Sequence, residues 1–248
     1  MKSLLLPFAL LFAANAASAT QPAPTTASPV STPAKAGEAW DAPLAPGIEL
    51  LKAGKPQAAI DQVFDPVIAG FEKEYAAEKR QVFCARTAGE ALLYMGEANA
   101  NKQGAIAIKP TWAYAWFYKA YALGDLGRAD DANESLKKAL ALSPSNPKFL
   151  SELGFSYIAE HKWQDMLEAY GSARAMVDLA SPDADKNDEL TRAMRGQGYA
   201  LTELGRLDEA EARYREALQV DPQDERSLKE LTYIAQLREK NSASSAGK

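Results

Sequence analysis

The chain has 248 residues, a formal charge of −5 and 47% hydrophobic residues, enough length and apolar content for a buried core. Mild acidity gives no basic footprint for nucleic acid. One cysteine and one histidine exclude an internal disulfide framework, a cysteine-rich metal site and any multi-histidine site.

In chain order the first element is a leader. Lys2 precedes an apolar run over residues 4–14, and small residues end in Ala17-Ser18-Ala19. A charged start, a short apolar stretch and an A-x-A exit predict a signal peptide over residues 1–19, with a mature chain from Thr20. Its brevity points to a bacterium, and to an exported, soluble protein of the periplasm or the outside. The run is too short to span a bilayer and no second one follows, so no integral membrane span is expected. Residues 20–46 are rich in Pro, Ala, Thr and Ser, with Trp40 and Leu44 the large apolar exceptions. Such a stretch buries too little surface to offset its ordering entropy and reads as a flexible tether.

From residue 47 the pattern is helical. Leu50, Leu51, Gly54, Ala59 and Ile60 mark a turn and a second helix, with Pro56 at a helix start, where its missing N–H is harmless. Apolar spacing continues through Val63, Phe64, Val67, Ile68, Phe71 and Tyr75, and Pro66 should kink or split that helix. A next unit over residues 79–112 closes on Ala105-Ile106-Ala107-Ile108, which matches Ala139-Leu140-Ala141-Leu142. Both runs are followed by proline, Pro110 and Pro144, one period apart. Gly96, Asn99 and Asn101 predict a short or irregular second helix there.

Three better units follow. Residues 113–146 carry Trp116, Ala120, Leu123, Ala132, Leu136, Ala139 and Pro144, with Gly127 at the turn. Residues 147–180 carry Leu150, Leu153, Gly154, Tyr157, Met166, Tyr170 and Ala173. After an insertion over residues 181–190, residues 191–224 carry Met194, Gly198, Leu201, Ala210, Tyr214, Ala217 and Pro222. Residues 225–240 form one more amphipathic helix through Leu228, Leu231, Ile234 and Leu237, the cover a solenoid needs at its end. Residues 241–248 are polar and expected to be disordered.

The spacing resembles the tetratricopeptide pattern, W-x2-L-G-x2-Y, then A-x3-F, then P, over roughly 34 residues. The chain is similar to an exported bacterial tetratricopeptide-repeat (TPR) protein. That resemblance implies an all-α fold, a right-handed α-solenoid of about five helical hairpins over residues 47–240 with a capping helix. It also implies a protein or peptide segment as partner, held on the concave face by first-helix residues. Carried onto this chain, those residues include Tyr114, Phe117, Tyr121, Lys148, Phe155, Arg192, Arg195 and Tyr199. Aromatic and arginine side chains are the types that dominate interfaces when desolvated. The alternative is that these aromatics are core, or that the chain is a structural subunit docking through its end or convex face. A subclass of the family clamps a C-terminal carboxylate with lysine and asparagine. Here Tyr121, Phe155 and Tyr199 stand where its asparagine would be, so that clamp is absent.

Catalytic and metal readings are weak. His161 falls at a hairpin turn, and Cys84 within an apolar run reads as a small core residue. Asp183, Asp185 and Asn187 open like a calcium loop, yet Asp188 replaces the required glycine and Met194 the closing glutamate. No P-loop or dinucleotide fingerprint is present. No cofactor is implied, and the chain reads as a non-catalytic interaction module of the cell envelope.

Overall fold

A computed structural model describes residues 40–246. The expected signal peptide and most of the expected tether lie outside the described residues. The described part is a run of helices in two compact units, residues 40–84 with 103–142, and residues 85–102 with 143–246.

The first unit begins with α1 (Ala45–Lys52), then α2 (Pro56–Ala59), a π-helical turn (Ile60–Phe64) and α3 (Asp65–Glu74). The expected irregularity at Pro66 is present, displaced to the residues before it. The Asp65 N–H donates to the Ile60 carbonyl rather than to that of Asp61, which accommodates a ring that the α-helical register would drive into the preceding turn. The end of the expected tether is docked here. Leu44 is fully buried, and the Thr111 hydroxyl donates to the Trp40 carbonyl at 2.6 Å.

The residues 79–112 unit departs from expectation. Gln81–Cys84 and Ala105–Ile108 are strands β1 and β2, paired in parallel with Cys84 opposite Ile108. The closing run read as helical is therefore a strand. Its four residues are bounded by Gly104 and Pro110, and its β-branched isoleucines favour the extended state. The all-α expectation thus holds except for this two-stranded ribbon. Between the strands, α4 (Ala88–Ala100) is a regular helix despite Gly96 and Asn99, capped by the Thr87 hydroxyl on the Glu90 N–H. The first unit ends with the hairpin of α5 (Thr111–Asp125) and α6 (Ala129–Leu142).

The second unit holds α4, then α7 (Pro147–Ser156) with a 3₁₀ turn (Tyr157–Glu160), α8 (Trp163–Ala180), α9 (Lys186–Glu203), α10 (Leu207–Val220) and α11 (Glu225–Ala246). From α7 onward each helix packs on the next, α4 packs on α8, and α9 also touches α7 and α11. These are the stacked hairpins of an α-solenoid. The insertion contributes an extra turn to the start of α9, and α11 continues past Lys240 to Ala246.

One turn geometry recurs at four of the hairpins. Gly54, Gly127 and Gly205 adopt φ of +68°, +73° and +74°, and His161 takes the same place at +53°. In each, the next N–H reaches back five residues: Lys55 to Leu50, Arg128 to Leu123, Lys162 to Tyr157 and Arg206 to Leu201, at 2.9–3.1 Å. This closes the helix C-terminus and reverses the chain. His161 is a turn residue, as expected, and Cys84 is buried.

The second unit is locked in two ways. The Tyr170 ring lies against two glycines. A Cβ on Gly154 would sit 2.7 Å from it, and one on Gly196 would fall inside the ring's van der Waals surface. A buried polar network holds α4. Arg86 pairs with Glu189 through both terminal guanidinium nitrogens, Nη1 and Nη2, at 2.6 and 3.0 Å. Glu90, fully buried, accepts the Arg86 N–H, the Tyr94 hydroxyl and the Ser143 hydroxyl.

Gly196→Ala should lower the unfolding free energy by about 1–3 kcal/mol through overpacking, although alanine gains up to about 1 kcal/mol of helix propensity; urea unfolding measures the net sign. Burial pushes the Glu90 carboxyl above its ordinary range, against the opposing Arg86 N–H and Tyr94 hydroxyl. A raised native value means its stabilising contribution is full below the ordinary carboxylate value and is lost as pH rises through the raised one. Relative to wild type, Glu90→Gln should therefore gain stability as pH rises from the ordinary carboxylate range through the raised native value. A relative urea midpoint that stays flat or falls over that range would contradict the assignment.

Candidate partner-binding face

The expected groove residues do not form one surface. Tyr114, Phe117 and Tyr121, in the first unit, are buried at 3%, 0% and 7% exposure. Trp40 packs on Tyr114 at 4.3 Å, and Phe117 meets Tyr114, Tyr118 and Tyr121 edge-on at 5.8, 5.6 and 4.9 Å. These three are core, contrary to their expected place on the concave binding face. Their ring area is already removed from water by neighbours in the same unit, Trp40 from the supposed tether among them.

The other five, Lys148, Phe155, Arg192, Arg195 and Tyr199, lie in the second unit, and all are partly exposed. Helix α9 sets most of the arrangement. Its buried stripe includes Ala193, Gly196, Ala200 and Leu201, which leaves Arg192, Arg195, Tyr199 and Glu203 along another stripe. Helices α7 and α11 lie on either side of it.

Arg192 donates to Glu152 of α7 at 2.6 Å, and Glu152 is only 1% exposed. Arg195 donates at 2.8 Å to Asp224, whose other carboxylate oxygen accepts the Ser227 N–H and hydroxyl at the start of α11. The Tyr170 phenol lies between these groups. Burial raises its pKa to about 12, while Arg192 and Glu152 act on it in opposite directions. The ring that spaces the helices therefore also borders the charged row.

Two further cations flank the pairs. The half-buried Lys148 ammonium is depressed by burial and then by Arg192, with Glu189 and Asp185 opposing. The exposed Arg226 is depressed by burial and then by Arg195. Among the described residues neither makes an ion pair. This end of the face thus sets four cations against two directly paired carboxylates, Glu152 and Asp224, with Glu189 and Asp185 also acting on Lys148.

Farther along, Tyr199 stands edge-on to Trp163 at 6.0 Å. Its hydroxyl is raised by burial, then by Glu203 and Glu230. Burial also raises the Glu230 carboxyl, and Glu203 adds to the effect. The row runs from cations through an aromatic to paired acids.

The amphipathic spacing of residues 225–240 marks only a cover and does not distinguish Arg226 and Glu230. The signal was the period: Arg226 stands one repeat after Arg192. Among the described residues, no three His, Cys, Asp or Glu side chains are grouped to hold a metal, and no helix is long and apolar enough to cross a membrane.

The tetratricopeptide-repeat family model matches residues 113–146 and 196–224. Solved structures of similar fold include the first TPR of Spaghetti (RPAP3) bound to an HSP90 peptide, 22% identical, TM-score 0.45, covering 52% of this chain and 95% of that one. The first TPR domain of human RPAP3 is 24% identical, TM-score 0.45, covering 54% and 98%. The APC/C assembly of Cut9 with Hcn1 is 18% identical, TM-score 0.47, covering 83% and 38%. Among curated proteins, none matches the chain.

Arg192→Met should lower stability by about 3 kcal/mol, because it strips a buried carboxylate of its guanidinium. Adding Glu152→Gln should recover much of that loss. A double-mutant cycle by urea unfolding reads the coupling, and additive costs would contradict the pairing.

Proposed function

We propose that this chain is a non-catalytic interaction module that binds a protein segment on the α7–α9–α11 face of its second unit. One observation carries the reading. Arg192, Arg195 and Tyr199 form a partly exposed row beside Lys148 and Arg226, while the aromatics of the first unit are buried among themselves. Arginine and tyrosine side chains held by neighbouring packing lose little entropy on docking, which suits them to be interface anchors. The leader pattern over residues 1–19 supports export, and so a place in the cell envelope. A second reading has its own support. Leu228 and Tyr233 on the terminal helix are 48% and 46% exposed, which favours docking of that end in a larger assembly.

Capture from envelope extract separates the two. Tyr199→Ala with Arg226→Glu should abolish retention of a partner held by the wild type, with helical content by circular dichroism unchanged. Leu228→Glu should leave it bound. Loss with Leu228→Glu and retention with the first variant would transfer the function to the end of the solenoid.

A further inference from the structure

The charges of this face are segregated along its helices, and several stand against the helix dipole. Lys148 and Arg226 are each the second residue of their helix, α7 and α11, near the positive end. Glu203 is the last residue of α9, at the negative end. A helix dipole favours the opposite placement by a few tenths of a kcal/mol or more per charge. These side chains are therefore not explained by the stability of the helices that bear them, and such local violations mark functional positions.

The two ends are ordered alike on neighbouring helices. Arg195 meets Asp224 at the start of α11, and Leu201 shares a buried cluster with Ile234 farther along it, so α9 and α11 run in the same direction and bring Glu203 and Glu230 to the same end. One end of this strip carries four cations against the two paired carboxylates Glu152 and Asp224, and the other carries Glu203 and Glu230. Arg195 and Glu203 are about 12 Å apart along the helix axis at the α-helical rise. Tyr199 and Trp163 occupy the middle. Like charges crowd at both ends, and a ligand carrying the complementary charge would relieve each.

We propose that this strip is a dipolar track for a charge-segregated peptide segment, whose acidic residues meet Lys148, Arg192, Arg195 and Arg226 and whose basic residues meet Glu203 and Glu230. The inference rests on the proposed binding role of this face and adds the partner's chemistry. A segment of this kind carries little net charge, so the protein's own acidity does not repel it. It is oriented because only one direction matches both ends.

The test uses two labelled peptides of identical composition on the full mature chain. In one, a glutamate block and a lysine block flank an alanine-leucine spacer; in the other, the same charges alternate. Fluorescence anisotropy should show the blocked peptide binding roughly tenfold more tightly, with an advantage that shrinks at high salt. Lys148→Gln with Arg226→Gln should weaken the blocked peptide by about fivefold, as should Glu203→Gln with Glu230→Gln, at about 1 kcal/mol each. The alternating peptide should be little affected. Equal binding of the two peptides overturns the proposal, and sensitivity to the cation pair alone reduces the track to an acid-binding patch and also overturns it. If the captured partner is still lost with Tyr199→Ala and Arg226→Glu while either of these results is found, the face remains the binding site and only its charge selectivity falls.

Discussion

The second unit depends on how closely α7 and α9 approach. Tyr170 of α8 lies flat against them at Gly154 and Gly196, where no side chain intervenes. That approach brings Glu152 of α7 within 2.6 Å of Arg192. The same stacking, repeated one step on, brings Arg195 to Asp224 and sets Gly198 against the Tyr214 ring. Small residue facing aromatic is thus the spacing device of the solenoid, and the charged row is its surface consequence. A larger residue at Gly196 would widen the α7–α9 gap and separate the arginines from the carboxylates that aim them.

Polar chemistry, rather than apolar packing, fixes α4 to this unit. Arg86 is almost wholly buried, at 1% side-chain exposure, and spans Glu189 and Ser181. The Thr87 hydroxyl reaches the Leu179 carbonyl while it caps α4. Removing one partner from such a network leaves a buried group unsatisfied, so the contacts act together. The outer side of α4 leaves Leu92 73% exposed, which agrees with a helix held by its polar inner edge.

The legible part of the fold was the part built on period. Gly127 and Gly205 announced their turns because only a residue tolerant of positive φ reverses the chain in that geometry. Met166, Tyr170, Tyr214 and Ala217 announced their buried faces through their spacing. The ribbon was not legible in the same way. Ala105-Ile106-Ala107-Ile108 fits either a helical or a strand pattern over four residues, and its pairing with Gln81–Cys84 is a non-local contact that no local pattern carries. Of the candidate site, Lys148 on α7 and Arg192, Arg195 and Tyr199 on α9 follow from the period, which gives them equivalent positions on the first helices of successive units. Tyr114, Phe117 and Tyr121 share that periodic position and yet are buried. What covers them includes Trp40, whose docking could not be foreseen from a proline-rich neighbourhood.

The most direct measurement is photocrosslinking to the captured partner from two positions. A benzoylphenylalanine in place of Tyr199, on the charged face, should form an adduct with the partner. The same group in place of Leu126, which is exposed at the end of α5 in the first unit, should not. Crosslinking from Leu126 but not from Tyr199 would contradict the account and move binding off the α7–α9–α11 face.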